Sequence, residues 1–253
     1  MTHRITTRTV SVAALLALAA CVSRQRTTSS VDQVGTAPAN TMPSAGGSMG
    51  GMGMTGDWKP LIDPTMTAWR AFKTQAMLAS WTVAGGVLSK SGGVEDLVSR
   101  DQYGDFELSW EWMLSKGGNA GVFYRTSEEY DKVYWSGPEY QLLDDANHPD
   151  GRNALTSAGA AYGLYAPPRG VVKAAGEWNA SRIVAKGNHV EHWLNGQKVV
   201  EYDLMSPEWE AKVKASKFVD WPHYGRAPRG FIAIQGDHDG ALSIRNMQVR
   251  EIR

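Results

Sequence analysis

The feature that most constrains this chain is a two-residue alternation that returns in segment after segment. In "FELSWEWML" (Phe106 to Leu114), Phe106, Leu108, Trp110 and Trp112 fall on one side and Glu107, Ser109, Glu111 and Met113 on the other, the signature of a half-buried strand. "GVFYR", "EYQLL", "SRIVAKG", "HVEHWL", "QKVVEYD", "GFIAIQG" and "ALSIRNMQVREIR" continue the series. Turns rich in Gly and Asn separate them, among them "KGGNAG", "KGN", "GDHDG" and Asn195-Gly196, the last suited to a type I′ hairpin. Helical signal is confined to "SPEWEAKVKASKF" (Ser206 to Phe218), where Ser206 caps, Pro207 takes the first position and Glu208 favours the positive end of the dipole. Many short strands without a βαβ rhythm predict an all-β fold, an antiparallel two-sheet sandwich with one or two short helices.

The N-terminus is of another kind. Arg4 and Arg8 precede the apolar run "VSVAALLALAA", too short to span a bilayer, and the tetrad "LAAC" ends at Cys21, the one cysteine of the chain. That tetrad resembles the lipobox of bacterial lipoproteins, which implies a signal peptide over residues 1–20, acylation of Cys21, and anchoring in the cell envelope, at the outer membrane facing the periplasm or the cell surface. Residues 21–56, with "GGSMGGMGMTG", are too poor in large side chains to build a core and read as a flexible tether. The folded domain is expected over residues 57–253. With Cys21 lipidated no disulfide forms, so the domain depends on its core, which its length permits. Membrane contact is expected through the lipid alone, and no segment specifies an oligomeric state.

Charge narrows the ligand. The 26 basic and 26 acidic residues balance, but Arg4, Arg8, Arg24 and Arg26 precede residue 57 against only Asp32, so the domain keeps 22 against 25, a net of −3. No basic face for nucleic acid follows from that balance, and a neutral or polar ligand fits it better. Within "EYQLLDD", Tyr140 and Leu142 share one face while Glu139 and Gln141 share the other; a buried sheet has no packing use for such polarity. Of the ten tryptophans, Trp110 and Trp112 read as core, whereas Trp58, Trp69, Trp135, Trp178, Trp209 and Trp221 lie near loops where an indole stacks on a sugar.

Five motifs in order, "GGNAGVFYR", "EYQLLDD", "YGLYAPP", "GEWNASRIVAKGNHVEHWLNGQKVVEYD" and "GFIAIQGDHDGALSIRNMQVREI", resemble the 3-keto-disaccharide hydrolase family from about Trp58 to the C-terminus. The resemblance implies a concanavalin A-like lectin/glucanase jelly roll and a carbohydrate ligand. Two departures stand out: Ala120 where the family often has serine, and Gly236 inserted before the Asp-His pair, which is expected to shift His238.

The implied chemistry acts on a glycoside oxidised to a ketone at C3. The carbonyl acidifies the hydrogen on C2, a base removes it, the enolate is stabilised, the C1 substituent departs, and water adds to the enone. It requires a base, a cationic or hydrogen-bonding partner for the enolate and an acid for the leaving oxygen. Glu111 and Glu139 are the candidate base and acid, Arg125 and His238 the enolate stabilisers, and Asn119, Gln141, Tyr165 and Gln235 the substrate holders.

Plainer readings accompany these. Glu139 paired to Arg125 would be a structural salt bridge, Glu111 would face solvent, Arg245 and Asn246 would brace strand ends, and His192 would be a packed core histidine. No cofactor is required. A divalent cation, calcium in particular, has a weak candidate in "DDANHPDG", which misses the EF-hand spacing and reads better as a solvated turn. His189 and His192 fall on opposite strand faces and make a poor joint site. Beside the enzyme stand a non-catalytic lectin-like lipoprotein and an adhesive scaffold.

Overall fold

The computed structural model describes residues 56–75 and 80–253, so the expected signal segment, Cys21 and the tether before residue 56 lie outside the described residues. Among the described residues thirteen strands form in chain order: β1 (Lys59–Pro60), β2 (Trp69–Ala71), β3 (Thr82–Ala84), β4 (Val87–Lys90), β5 (Leu97–Tyr103), β6 (Phe106–Leu114), β7 (Asn119–Thr126), β8 (Glu139–Leu143), β9 (Asn179–Lys186), β10 (His189–Leu194), β11 (Gln197–Asp203), β12 (Gly230–Ile234) and β13 (Leu242–Glu251). The larger sheet runs β11-β10-β9-β6-β13-β4-β3 with β1 added beside β13, and the smaller runs β2-β5-β12-β7-β8. Every pairing is antiparallel. The antiparallel two-sheet sandwich expected from the strand pattern is the fold that forms.

The two sheets use their outer faces differently. Burial alternates residue by residue in β9 and from Leu108 onward in β6, with Phe106, Leu108, Trp110, Trp112, Ile183 and Ala185 inward; this is a sheet with one face on the core and one toward water. β7 and β8 are buried at every position. Tyr140 points between the sheets, its hydroxyl bonding Ser181 Oγ at 2.8 Å and donating to Trp193 O at 3.0 Å, so Glu139 and Gln141 must emerge on the opposite side. Loops cover that side, which is why it is buried as well.

Local signals account for the connections. Asn195 and Gly196 have φ of 48° and 83°, the paired left-handed residues of a type I′ turn. The helix α1 (Pro207–Lys214) starts where Ser206 accepts from Trp209 N at 3.2 Å, but it stops at Lys214 instead of reaching Phe218. Ser216 accepts from Phe218 N at 3.1 Å and opens a separate 3₁₀ turn, Lys217–Asp220. Among the described residues no helix is long and apolar enough to cross a membrane.

Trp112 is 1% exposed and donates to Ser181 Oγ at 2.8 Å. Trp112→Ala is expected to cost ~3–5 kcal/mol through lost burial and the cavity left behind, read by chemical denaturation with an unchanged m-value.

Candidate active site

The site lies on the covered outer face of the smaller sheet, over three adjacent strands. Gly121 of β7 faces Gln141 of β8, Phe123 faces Glu139, and Asn119 faces Leu143. On the other side of β7, Gln235 follows directly from β12 and its backbone N–H donates to Gly121 O at 2.9 Å. A Cβ at position 121 would stand 2.4 Å from Glu139 Oε1. The glycine therefore gives Glu139 room to lie across β7. Asn119, Glu139, Gln141 and Gln235 line a cavity of about 230 Å³ that is completed by Tyr134, Asp150, Tyr162, Lys217, Asp237 and His238.

The polar groups in this cavity are unusual for buried ones. Asn119 Oδ1, Gln141 Oε1 and Gln235 Oε1 are buried without a hydrogen-bond partner, although such oxygens are normally satisfied. Gln141 is held from behind by its Nε2 donating to Thr156 O at 3.2 Å, which leaves its oxygen aimed at the cavity. Three acceptors with nothing to accept from are suited to ligand hydroxyls.

Lys217 is the cation. Its ammonium sits 4.3 Å from the Tyr162 ring centre and 5.8 Å from that of Tyr134, and the turn carrying it is anchored by an aromatic stack: Phe218 lies 4.0 Å from Tyr224, and Tyr224 lies 6.1 Å from Trp209, all nearly parallel. One side of the lysine is open to solvent.

Burial pushes the acid and the base apart. The Glu139 carboxyl is 7% exposed, and loss of solvation raises its pKa above the usual carboxylate range, with Lys217 offsetting part of the rise. Partial burial lowers Lys217. Burial also lowers His238, opposed by the charge on Asp237 and helped by that on Lys90. Near neutrality Glu139 is thus inclined to keep a proton and His238 to be without one. Burial carries the Tyr162 phenol up to about 12, so it remains a neutral donor.

Residues 57–250 match the family described as the 3-keto-alpha-glucoside-1,2-lyase-like domain. The chain belongs to this family. It is similar to a 3-keto-disaccharide hydrolase of Bacteroides thetaiotaomicron, 33% identical over 218 residues that cover 74% of this chain and 75% of the relative. Two crystal structures from Parabacteroides distasonis, each described as a glycosyl hydrolase, superpose on it. One matches at a TM-score of 0.72 with 30% identity over 78% of this chain and 94% of the other; the second at 0.63 with 28% identity over 77% and 99%. The coarse function, an enzyme that cleaves glycosidic bonds, follows from this membership.

Within the family fold the residues expected at the site divide. Glu139, His238, Asn119, Gln141 and Gln235 share the cavity. Glu111, Arg125 and Tyr165 are not among its lining residues, so the expected convergence of Glu111, Arg125 and Glu139 does not occur. Glu111 projects from the outer face of the larger sheet and accepts from Arg245 Nε at 2.7 Å and Asn246 Nδ2 at 3.2 Å; Arg245 and Asn246 brace it there, at a bulge in β13. Arg125 has a φ of 51°, which breaks the alternation of β7. Its guanidinium is committed to Gly104 O (2.8 Å and 3.0 Å), Gly187 O (2.8 Å) and Asp105 (3.4 Å), so neither an enolate contact nor a salt bridge to Glu139 forms. Tyr165 stacks on Tyr202 at 4.8 Å, and Tyr162 of the same motif faces the cavity.

Other expectations also resolve. Gly236 leaves His238 at the cavity, and a Cβ there would meet Glu95 O at 2.3 Å. Ala120 faces the core. His192 is a core histidine, bonded to Tyr124 Oη at 3.0 Å and Gly159 O at 3.1 Å, with burial lowering its pKa to about 4. The calcium-candidate loop is a solvated turn at Ala146, Asn147 and Pro149, which are exposed, but it is rooted by Asp144, 4% exposed. Its carboxylate accepts from Gly117 N at 2.7 Å and Asn147 Nδ2 at 2.8 Å, and Asp145 accepts from Ala158 N at 2.8 Å. A different grouping, His189, Glu191 and Glu201, has metal-compatible spacing on the larger sheet, but Lys198 already engages both carboxylates. Trp69 and Trp209 are core, Trp58 and Trp178 lie under Arg250 and Arg245, and Trp135 and Trp221 stack on each other at 5.2 Å. The aromatic walls of the cavity are tyrosines.

Gly121→Ala is expected to displace the Glu139 carboxyl and lower kcat/KM by about a hundredfold. Comparison of its kinetics with a crystal structure of the variant checks both the displacement and its effect.

Proposed function

We propose that this enzyme cleaves 3-keto-glycosides by elimination followed by hydration. The single observation that carries the reading is the opposed environment of Glu139 and His238 in one cavity, since two titratable groups pushed in opposite directions define an acid and a base. Neutral His238 takes the hydrogen from C2, and the electron pair becomes the enolate at the C3 oxygen. The Lys217 ammonium balances that charge in place of the arginine expected from sequence. As the enolate collapses, the C1–oxygen bond breaks and Glu139 delivers its proton to the leaving oxygen. Water then adds across C1 and C2, with hydroxyl to C1 and hydrogen to C2, so the sum is hydrolysis. The unpartnered oxygens of Asn119, Gln141 and Gln235 accept from ring hydroxyls and fix the ring. Those three oxygens alone would also serve a lectin that binds without turnover.

Incubation of the purified protein with 3-keto-trehalose is expected to release glucose. Binding without release would support the lectin, and no response to keto or ordinary sugars would remove both readings. The rate is expected to rise with pH as His238 loses its proton, below the ordinary histidine value, and to fall at higher pH as Glu139 ionises, above the ordinary carboxylate value. Glu139→Gln is expected to lower turnover about a hundredfold and to abolish the Glu139 limb, with circular dichroism unchanged.

We also propose that Cys21 carries the lipid that holds the enzyme in the cell envelope, on the strength of "LAAC". Cys21→Ser is expected to move the protein from the membrane fraction to the soluble fraction of cells.

A further inference from the structure

Gln235, Asp237 and His238 reach the cavity from one short segment between β12 and β13, which has no regular secondary structure of its own. Two buried charges of opposite sign grip this segment. Lys90, at the end of β4 and 4% exposed, donates to His238 O at 2.5 Å, Gly92 O at 3.1 Å and Gly240 O at 3.3 Å. Three carbonyls match the three donors of an ammonium. Asp96, beside β5 and 8% exposed, accepts from Gly236 N at 2.8 Å and from the Asp237 amide. Between them Val94 N donates to Gly236 O at 2.8 Å. A Cβ at Gly236 would collide with Glu95 O, so the inserted glycine is what lets the two segments lie this close.

We propose that Lys90 and Asp96 are positioning residues that clamp residues 235–240 from opposite ends and so hold His238 and Gln235 at the reacting sugar. Burying an ammonium and a carboxylate among backbone groups is costly unless each is fully hydrogen-bonded, and both bond to the backbone of one segment that carries three lining residues. Neither touches the cavity itself. Removing either frees a loop whose placement the base depends on, and a displacement of about 1 Å at a reacting group is enough to cost about a hundredfold in rate. The kinetic side of this inference rests on the elimination reading; the structural side does not.

The test pairs two readouts on the full protein. In Asp96→Ala and Lys90→Met, hydrogen exchange over residues 235–240 is expected to accelerate at least about tenfold, and kcat/KM for 3-keto-trehalose to fall at least about tenfold at temperatures well below unfolding. Asp96→Asn keeps an acceptor for the Gly236 amide and Lys90→Arg keeps N–H donors, so both are expected to recover most of the exchange protection and activity, and they serve if the harsher variants fail to fold. Lys198→Met, on the larger sheet, is expected to leave both readouts unchanged. Unaltered exchange, or faster exchange with wild-type kinetics, would overturn the clamp. If the wild-type protein releases no glucose, the elimination reading fails by itself. The clamp is then judged by exchange and by the His238 ring resonances, which Asp96→Ala is expected to shift; an unmoved ring would overturn it.

Discussion

Everything at this site depends on a carboxyl lying across a β-strand in a place largely shielded from water. Glu139 sits on the outer face of β8, and that face is as buried as the inner one because loops lie over it. The desolvation that keeps a proton on Glu139 is therefore a consequence of sheet architecture. It also needs a gap in the neighbouring strand. Gly121 supplies the gap, at the cost of a strand residue without a side chain to pack.

The covering segments are built to be stiff where they carry chemistry. The 3₁₀ turn bearing Lys217 is tied to the core by Phe218, Tyr224 and Trp209, three aromatic rings in nearly parallel planes. The loop bearing His238 and Gln235 is tied by hydrogen bonds to Lys90 and Asp96. Apolar stacking fixes the cation and charge-assisted hydrogen bonds fix the base, so the cavity keeps its shape although most of its wall is loop. The larger sheet differs in both of its faces. Its inner face completes the core, and its outer carboxylates Glu107 and Glu111 are matched by arginines at 2.7–2.9 Å. Those carboxylates are satisfied, whereas the carboxamides of the cavity are not.

The alternation of "EYQLL" is enough to separate Glu139 and Gln141 from the core-facing Tyr140 and Leu142, and the positions of the strands follow from the same rule. That rule has two blind spots here. It places Glu111 on a polar face but cannot say which of the two outer faces, and β6 belongs to the other sheet from β7 and β8. It also assumes an unbroken ladder, and the left-handed backbone at Arg125 turns that side chain away from where the period would put it. Lys217 is hidden because a single helix through Phe218 makes it one more surface lysine. The second cap at Ser216, four residues before Asp220, is the available signal for a new turn. Tyr134, Asp150, Tyr162 and Asp237 come from loops and short turns, where spacing carries no directional information.

The central claim is that the C2 hydrogen is removed before the glycosidic bond has been cleaved and water has added. Turnover of a 3-keto-glycoside in deuterated water, with the released 3-keto-sugar read by mass spectrometry and proton NMR, tests this directly. The account predicts one deuterium at C2 of the product beyond that in a no-enzyme control. Product that keeps its original hydrogen at C2 would mean displacement at C1, and would contradict the acid, base and enolate roles assigned to Glu139, His238 and Lys217.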